Sequence, residues 1–262
     1  MAKIFAVTNQ KGGVGKTTTS VNLAASLAAK DRRVMLIDLD PQGNATMGSG
    51  VNKYELEKST FEVMMDESPV SEVVLPLEEA GYDLLPANSD LTGAEVGLLE
   101  EIGRELRLRM ALEPVRENYD YIIIDCPPAL SMLTVNALVA ADKVFIPTQC
   151  EYYALEGLSA LLDTVEKIRT YLNPSLKVEG FLRTMFDSRN NLANQVSAQL
   201  LKHFGDRVYQ TIIPRNVRLA EAPSHGMPIL TYDRSSSGAV AYMALAGEMV
   251  RRSENPPVRA VQ

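Results

Sequence analysis

Cysteine and histidine are scarce in this sequence of 262 residues, which contains two of each. Two cysteines cannot build a disulfide framework, and so few Cys and His side chains do not favour a closed zinc site of the usual kind. No run approaches the roughly 20 apolar residues of a membrane-spanning helix, and residues 1–8 lack the longer apolar core of a signal peptide. The sequence therefore predicts a soluble protein of the cytoplasm.

The sequence also lacks an excess of positive charge, since its formal net charge is −7. The field of the whole protein would repel DNA and acidic membranes, so binding to a polyanion would require a local basic patch. The hydrophobic content of 46% and the charged content of 23% are ordinary for a globular protein. The length is sufficient for one large α/β domain with a buried core.

Short apolar runs alternate with longer helical patterns, which predicts an α/β fold with βαβ units around a mainly parallel sheet. The predicted strands are Ile4–Thr8, Val34–Leu39, Tyr82–Pro86, Tyr121–Asp125, Lys143–Pro147, Val178–Thr184 and Val208–Ile213. The predicted helices are Thr17–Lys30, Ala94–Val115, Leu130–Ala140, Leu155–Tyr171, Leu192–Phe204 and Gly238–Arg252. We expect one domain over residues 1–252 and a flexible tail over residues 253–262.

Three glycines lie in the run between the first predicted strand and the first predicted helix. The run reads Lys11-Gly12-Gly13-Val14-Gly15-Lys16-Thr17-Thr18. Glycine permits positive φ and brings backbone N–H groups close to phosphate oxygens, and the following helix adds the dipole of its N-terminus. In this pattern Lys16 reaches the β- and γ-phosphates and the Thr17 hydroxyl binds Mg²⁺. The whole run is therefore predicted to hold ATP with Mg²⁺, and with the mainly parallel sheet it predicts a P-loop NTPase fold.

A second lysine, Lys11, begins this loop, at a position that the general phosphate-loop pattern leaves free. A single lysine in a loop is ordinarily solvated. The alternative is a second cation at the phosphates, which is characteristic of the deviant Walker A group of ATPases.

Aspartates follow two of the predicted strands. Asp38 and Asp40 end the second strand, and Asp125 ends the apolar run Tyr121–Ile124. Open α/β sheets bind ligands at the carboxyl ends of their strands. We predict that Asp125 coordinates Mg²⁺ through water, that Asp38 supports the metal and that Asp40 holds the attacking water. A helix cap or a turn is the structural alternative for each of them.

At this point the chain resembles the ParA/MinD family of ATPases and, within it, the ParA branch that includes the Soj proteins. The segments that carry the resemblance, which covers about residues 1–250, are 9–18, 37–44, 125–128, 151–157 and 213–224. The first three are typical of the whole ATPase group, and the last two are typical of the ParA branch.

The resemblance implies an ATPase cycle. Two ATP-bound chains would close face to face as a homodimer, with each Lys11 reaching the nucleotide of the other chain as an arginine finger does. Pro214 and Asn216 would contact the adenine. The dimer would bind DNA without sequence preference, and a ParB-type centromere-binding partner would stimulate hydrolysis and release the dimer. Such a cycle moves a chromosome or a plasmid and places the protein on the nucleoid, with no membrane involved.

The family places DNA-binding arginines at positions that match Arg189 and Arg218. Arg215, which is predicted to bind DNA with them, and Arg183 lie near them in the sequence and would extend a basic strip. Isolated arginines are more often solvated or paired with acids. Dimerisation would double a small basic patch, and such binding should weaken steeply as salt is added.

Other functions on the same fold remain to be weighed. A MinD-like ATPase for division-site placement attaches to membranes through a basic amphipathic helix at its C-terminus, which two prolines within residues 251–259 disfavour. An iron–sulfur relative needs two cluster-ligating cysteines, whereas Cys126 and Cys150 fit better as small core residues. The ParA-like segments argue against a small-molecule synthetase. A start directly at the phosphate-loop strand argues against a repressor with an N-terminal helix-turn-helix domain.

Overall fold

A computed structural model describes residues 1–254 of the chain. Its eight strands are β1 (Lys3–Val7), β2 (Val34–Asp38), β3 (Leu75–Leu77), β4 (Tyr82–Leu85), β5 (Tyr121–Asp125), β6 (Lys143–Gln149), β7 (Lys177–Phe186) and β8 (Val208–Pro214). They form one sheet in the order β3-β4-β2-β5-β1-β6-β7-β8. Every neighbouring pair is parallel except β3 and β4. The α/β fold with a mainly parallel sheet is thus confirmed.

Helices cover both faces of this sheet. They are α1 (Lys16–Ala28), α2 (Asn44–Gly48), α3 (Thr60–Met64), α4 (Val70–Val73), α5 (Leu91–Gly97), α6 (Arg107–Leu112), α7 (Met132–Ala140), α8 (Ala154–Tyr171), α9 (Asn191–Phe204), α10 (Val217–Glu221), α11 (Ile229–Tyr232) and α12 (Ser237–Glu254). Alternate residues of the central strands enter two separate hydrophobic clusters, one on each face: Ile122 and Ile124 join the first, and Tyr121 and Ile123 the second. The strands are apolar at nearly every position because both faces are buried.

All seven predicted strands are present, and the bounds of β5 agree with the prediction. The strand β3 was not predicted, because it has only three residues and contains Pro76. It pairs antiparallel with β4 at the edge of the sheet, which is where proline is tolerated.

The prediction of one continuous helix over Ala94–Val115 is wrong. The backbone becomes extended at Glu101 and takes a left-handed conformation at Gly103, with φ of 70°. These two residues separate α5 from α6, and short 3₁₀ turns fill the rest of the segment. The apolar spacing was helical on each side, but it did not reveal the break that glycine permits.

The C-terminal helix α12 extends through Ser253 and Glu254, two residues that were assigned to the flexible tail. The rest of that predicted tail, residues 255–262, lies outside the described residues. So does most of residues 251–259, where two prolines disfavour the membrane helix of a MinD-like protein. Within residues 1–254, no helix combines the length and the apolar character needed to cross a bilayer.

Candidate functional site

The glycine-rich loop lies between β1 and α1, at the carboxyl edge of the sheet. Gly13 and Gly15 have φ of 71° and 84°, a left-handed backbone conformation that residues with a Cβ rarely adopt. Gly15 is the residue directly before α1, and the first turn of α1 contains no acidic side chain. The positive end of the helix dipole is therefore left available to an anion, as the sequence predicts.

Hydrogen bonds hold this loop against the neighbouring strands. The Thr184 hydroxyl of β7 donates to the carbonyl of Val14 at 2.8 Å. The Asn9 amide donates to the carbonyl of Pro147 in β6, also at 2.8 Å. Neither Asn9 nor Thr184 had a predicted role, and both contacts depend on which strands lie beside β1. The loop is thus fixed at both of its ends before any ligand binds.

The two lysines of the loop have different surroundings. Lys16 is only 7% exposed, and its Nζ donates to the Lys11 carbonyl at 3.2 Å. Burial lowers the pKa of Lys16, while the negative charges of Asp125 and Asp40 oppose that change. A partly dehydrated ammonium group of this kind gains more from a phosphate than a fully hydrated one does.

The Lys11 side chain leaves the loop instead of folding over it. Its Nζ donates to the carboxylate of Glu151, which follows β6. Its backbone N–H is held by Asn9 Oδ1 at 3.0 Å. The side chain remains 38% exposed, so the backbone is fixed while the ammonium group is accessible from outside the chain.

The carboxylates of Asp38 and Asp125 are fully buried at the ends of the adjacent strands β2 and β5, where the two residues are register partners. Asp125 Oδ1 accepts a hydrogen bond from the Ser20 hydroxyl at 2.8 Å. Its Oδ2 is buried without a hydrogen-bond partner among the described residues. Burial, followed by the charge of Asp38, raises the pKa of Asp125 to about 7, and the nearby Thr17 and Ser20 hydroxyls oppose the shift.

Asp38, in contrast, is saturated by protein donors. Its Oδ2 accepts from the backbone N–H and the hydroxyl of Thr46 at 2.8 and 2.7 Å, and its Oδ1 accepts from the Asp40 N–H at 3.2 Å. Burial raises the pKa of Asp38 to about 6, and the Thr46 hydrogen bonds oppose that change. These contacts give Asp38 a role in fixing the start of α2, and its predicted support of a metal stays a prediction.

The unpartnered oxygen of Asp125 and the hydroxyl of Thr17 are the groups at this edge that fit Mg²⁺, which prefers oxygen ligands and retains several waters. Within residues 1–254, no three His, Cys, Asp or Glu side chains converge as a ready-made metal centre. A magnesium ion here would therefore complete its shell with water and with phosphate oxygens. Asp40 lies close by and is 9% exposed, with its Oδ1 accepting from the Gln42 N–H at 2.9 Å.

The predicted adenine contacts lie at the carboxyl end of β8. Pro214 is the last residue of that strand and pairs with Phe186 of β7. Asn216 caps α10 by accepting from the Leu219 N–H at 3.0 Å, and its amide donates to the Ser237 hydroxyl at 2.8 Å. Both residues thus lie at the edge that holds the phosphate loop, and their contact with adenine stays a prediction.

The arginines predicted to bind DNA are all exposed, and two of them are paired with acids of the same chain. The Arg189 side chain forms two hydrogen bonds with Asp187 and is 88% exposed. Arg218 pairs with Glu221 at 2.8 Å. Arg215 is exposed and forms no ion pair within the described part of the chain.

The suggestion that Arg183 extends this basic strip is wrong, because its side chain is buried. It donates to the Ser197 hydroxyl and to the carbonyls of Tyr209 and Gln210, at 2.9 to 3.2 Å. Strand alternation in β7 directs it toward α9 and β8, where it satisfies backbone oxygens.

Both cysteines are buried, as predicted. Cys126 is 1% exposed in the core cluster, and burial raises the pKa of its thiol well above the usual range. Burial also raises the pKa of Cys150 to about 11. Neither thiol has the lowered pKa of a nucleophile.

Comparison with known proteins identifies the family of the chain. A family model described as an AAA domain matches residues 2–178. An uncharacterized protein of Pseudomonas putida is 65% identical over 98% of this chain and 97% of its own length. The sporulation initiation inhibitor protein Soj of Bacillus subtilis is 55% identical over 95% and 98%, and the chromosome partitioning protein ParA of Myxococcus xanthus is 52% identical over 96% and 89%.

The chain belongs to the ParA branch of the ParA/MinD family of ATPases. Solved structures show the fold of this family. One from Mycobacterium smegmatis, named cobyrinic acid a,c-diamide synthase with bound ADP and magnesium, has a TM-score of 0.86 at 38% identity and covers 97% of this chain and 96% of its own. The cell division ATPase MinD of Pyrococcus furiosus has a TM-score of 0.79 at 22% identity and covers 96% and 99%.

Proposed function

We propose that this ParA/MinD-family ATPase binds ATP with Mg²⁺, dimerises, and then binds DNA without sequence preference. A ParB-type centromere-binding partner stimulates hydrolysis, and the cycle segregates a chromosome or a plasmid on the nucleoid. The catalytic unit is a single domain formed by residues 1–252. The observation that carries the proposal is the joint placement of the two lysines and Asp125 around one glycine-rich loop.

The composition of the phosphate site supports ATP binding. The N-terminus of α1 and the ammonium of Lys16 lie at the glycine-rich loop, and the unpartnered Asp125 oxygen and the Thr17 hydroxyl suit a hydrated Mg²⁺. The bound ion would neutralise negative charge on the β- and γ-phosphates. Asp40 would then orient the attacking water at the rim of this site.

The conformation of Lys11 supports catalysis across a dimer. Lys16 already serves the chain's own loop, whereas the ammonium of Lys11 points to Glu151 and remains 38% exposed. Closure of a second chain over this face would present an ATP phosphate to Lys11. Since a triphosphate carries more charge than one carboxylate, Lys11 would exchange Glu151 for the partner's nucleotide.

The distribution of charge supports DNA binding by the dimer. The chain as a whole is acidic, with a net charge of −7, but Arg189, Arg215 and Arg218 are exposed on segments that follow β7 and β8. A dimer doubles this small basic surface, and multiple phosphate contacts give a steep salt dependence. The acidity of the monomer would then keep DNA binding weak until ATP has assembled the dimer.

The decisive experiment measures phosphate release from ATP with and without duplex DNA and a ParB-type protein. We expect slow turnover alone and faster turnover with both additions. Lys16→Ala should abolish turnover, and Lys58→Ala, an exposed lysine paired with Glu72, is the matched control. Turnover that neither addition raises, alone or combined, would contradict the partition cycle.

A second candidate follows from the name of the Mycobacterium smegmatis structure, an amide-forming synthase at 38% identity. Such an enzyme would use ATP to activate a carboxylate of a small molecule. The candidate is tested with cobyrinic acid and an amide donor in place of DNA. Amide product, with no response of turnover to DNA, would favour it over the partition cycle.

A further inference from the structure

Asp187 begins the turn of residues 187–190 that joins β7 to α9. Its Oδ1 accepts from the backbone N–H and from Nε of Arg189, at 3.0 and 2.9 Å. Its Oδ2 accepts from Nη2 of Arg189 at 2.8 Å. Both carboxylate oxygens are therefore used by one arginine, in the two-pronged geometry that gives the strongest Arg–carboxylate pairing.

Arg215, the residue directly after β8, lies beside the same turn. Asp187 and Arg215 line one cleft of about 250 Å³, and the backbone N–H of Arg215 donates to the carbonyl of Phe186, the residue directly before Asp187, at 3.2 Å. The hydrogen bonds from Arg189, followed by the charges of Arg189 and Arg215, lower the pKa of Asp187 to about 2. Asp187 is thus an ionised carboxylate set between two of the three arginines proposed to bind DNA.

We propose that Asp187 is an affinity-determining residue that restrains DNA binding by neutralising this arginine surface. The proposal rests on the DNA-binding function proposed above. A DNA phosphate that recruits Arg189 must first displace Asp187, and the remaining carboxylate then repels the same phosphate. One exposed contact between an arginine and a DNA phosphate is weak, so several such contacts must form together. Competition from Asp187 therefore disfavours DNA binding by the monomer more than binding by the dimer, which brings two arginine surfaces to one duplex.

The conformation of the turn depends on one side-chain oxygen of Asp187 and not on its negative charge. Oδ1 closes the turn by accepting from the backbone N–H of Arg189, whereas the negative charge pairs with the Arg189 guanidinium and lies near that of Arg215. The backbone also contributes, since the Asn190 N–H donates to the Asp187 carbonyl at 3.0 Å and Asn190 caps α9. Asp187→Asn keeps an oxygen that can close the turn and removes the charge, and Asp187→Ser does so with a shorter side chain.

The experiment measures fluorescence anisotropy of a labelled duplex of arbitrary sequence, with full-length protein, Mg²⁺ and a non-hydrolysable ATP analogue. Asp187→Asn and Asp187→Ser should bind the duplex roughly threefold to tenfold more tightly than wild type, because two freed arginine surfaces act in each dimer. Affinity should also fall more steeply with salt, since more phosphate contacts release more counterions. Glu67→Gln, an exposed acid between α3 and α4, controls for the loss of one negative charge elsewhere.

The outcomes separate this inference from the function on which it rests. If both Asp187 variants bind no more tightly than Glu67→Gln while Arg189→Ala binds more weakly than wild type, the restraint is refuted and DNA binding stands. If wild type does not bind the duplex, or if Arg189→Ala, Arg215→Ala and Arg218→Ala all retain full affinity, both the arginine surface and the restraint are refuted.

Discussion

The phosphate-loop edge and the arginine surface both contain carboxylates, but their surroundings shift the pKa values of the two sets in opposite directions. Burial raises the pKa values of Asp38 and Asp125, whereas arginine contacts lower those of Asp187 and Glu221 at the surface. The buried acids are held by hydroxyl and N–H donors and would gain from an added cation. The surface acids are already paired with arginines. The phosphate-loop edge can therefore accept a cation without breaking an ion pair, whereas DNA that binds the arginine surface must first break the existing pairs.

The largest expected effect concerns Asp40 at the phosphate edge. Asp40→Ala should reduce ATP turnover by roughly a hundredfold or more, because the attacking water loses its orienting group. ATP binding and dimerisation should persist, so size-exclusion chromatography with light scattering should show an ATP-dependent dimer that remains on DNA. A variant that is monomeric with ATP would contradict the role assigned to Asp40.

The next effect tests how strongly the buried acids depend on their donors. Thr46→Val removes the hydroxyl that donates to Asp38 at 2.7 Å and accepts from the Ala87 N–H at 2.8 Å. We expect the free energy of unfolding to fall by about 1–3 kcal/mol, since both buried partners lose a hydrogen bond. Urea denaturation measures this change, and Thr46→Ser, which keeps the hydroxyl, should retain most of the stability. Equal stability of Thr46→Val and wild type would show that Asp38 does not need this donor.

A smaller effect is expected at Glu151, which binds Lys11 of the phosphate loop and lines the same cleft as Asp187 and Arg215. Glu151→Gln weakens the hold on the Lys11 ammonium, so ATP-dependent dimerisation should strengthen by roughly twofold to fivefold, the range of exposed ion pairs. Sedimentation at several protein concentrations measures the association. Glu156→Gln, an exposed acid in the first turn of α8, is the matched control. Weaker dimerisation of Glu151→Gln would instead show that Glu151 stabilises the dimer.

The smallest effect is expected at Glu221, the surface acid that pairs with Arg218. Asp233 also lies 3.7 Å from Arg218 and would retain part of the pairing after Glu221→Gln. DNA affinity should therefore rise by only about twofold in the anisotropy assay. A larger increase in DNA affinity than that of Asp187→Asn would show that Glu221 in α10, and not Asp187 in the β7–α9 turn, is the main restraint on DNA binding.

The sequence predicted the parts of the site that local patterns determine. The glycine spacing placed the loop between β1 and α1, and the apolar runs placed Asp38 and Asp125 at the ends of strands. It did not predict that the two aspartates are neighbours in register, or that Lys11 contacts Glu151, because such pairs depend on the order of the strands in the sheet. Arg183 was misplaced for a related reason: its charge suggested the surface, whereas β7 is covered by α9 on that side.

The bond between Thr184 and the phosphate loop has a mechanical consequence. Thr184 holds Val14 of the loop, and Asp187 begins the arginine turn three residues later on the same chain. At the rise of a strand three residues span at most roughly 10 Å, and Met185, with a φ of 47°, bends the chain within this short connection. A shift of the loop when nucleotide is loaded or lost would therefore reach the turn that carries Arg189 through a few residues of β7. The end of β7 would thus couple the nucleotide state of the phosphate loop to the position of Arg189 without the movement of a domain.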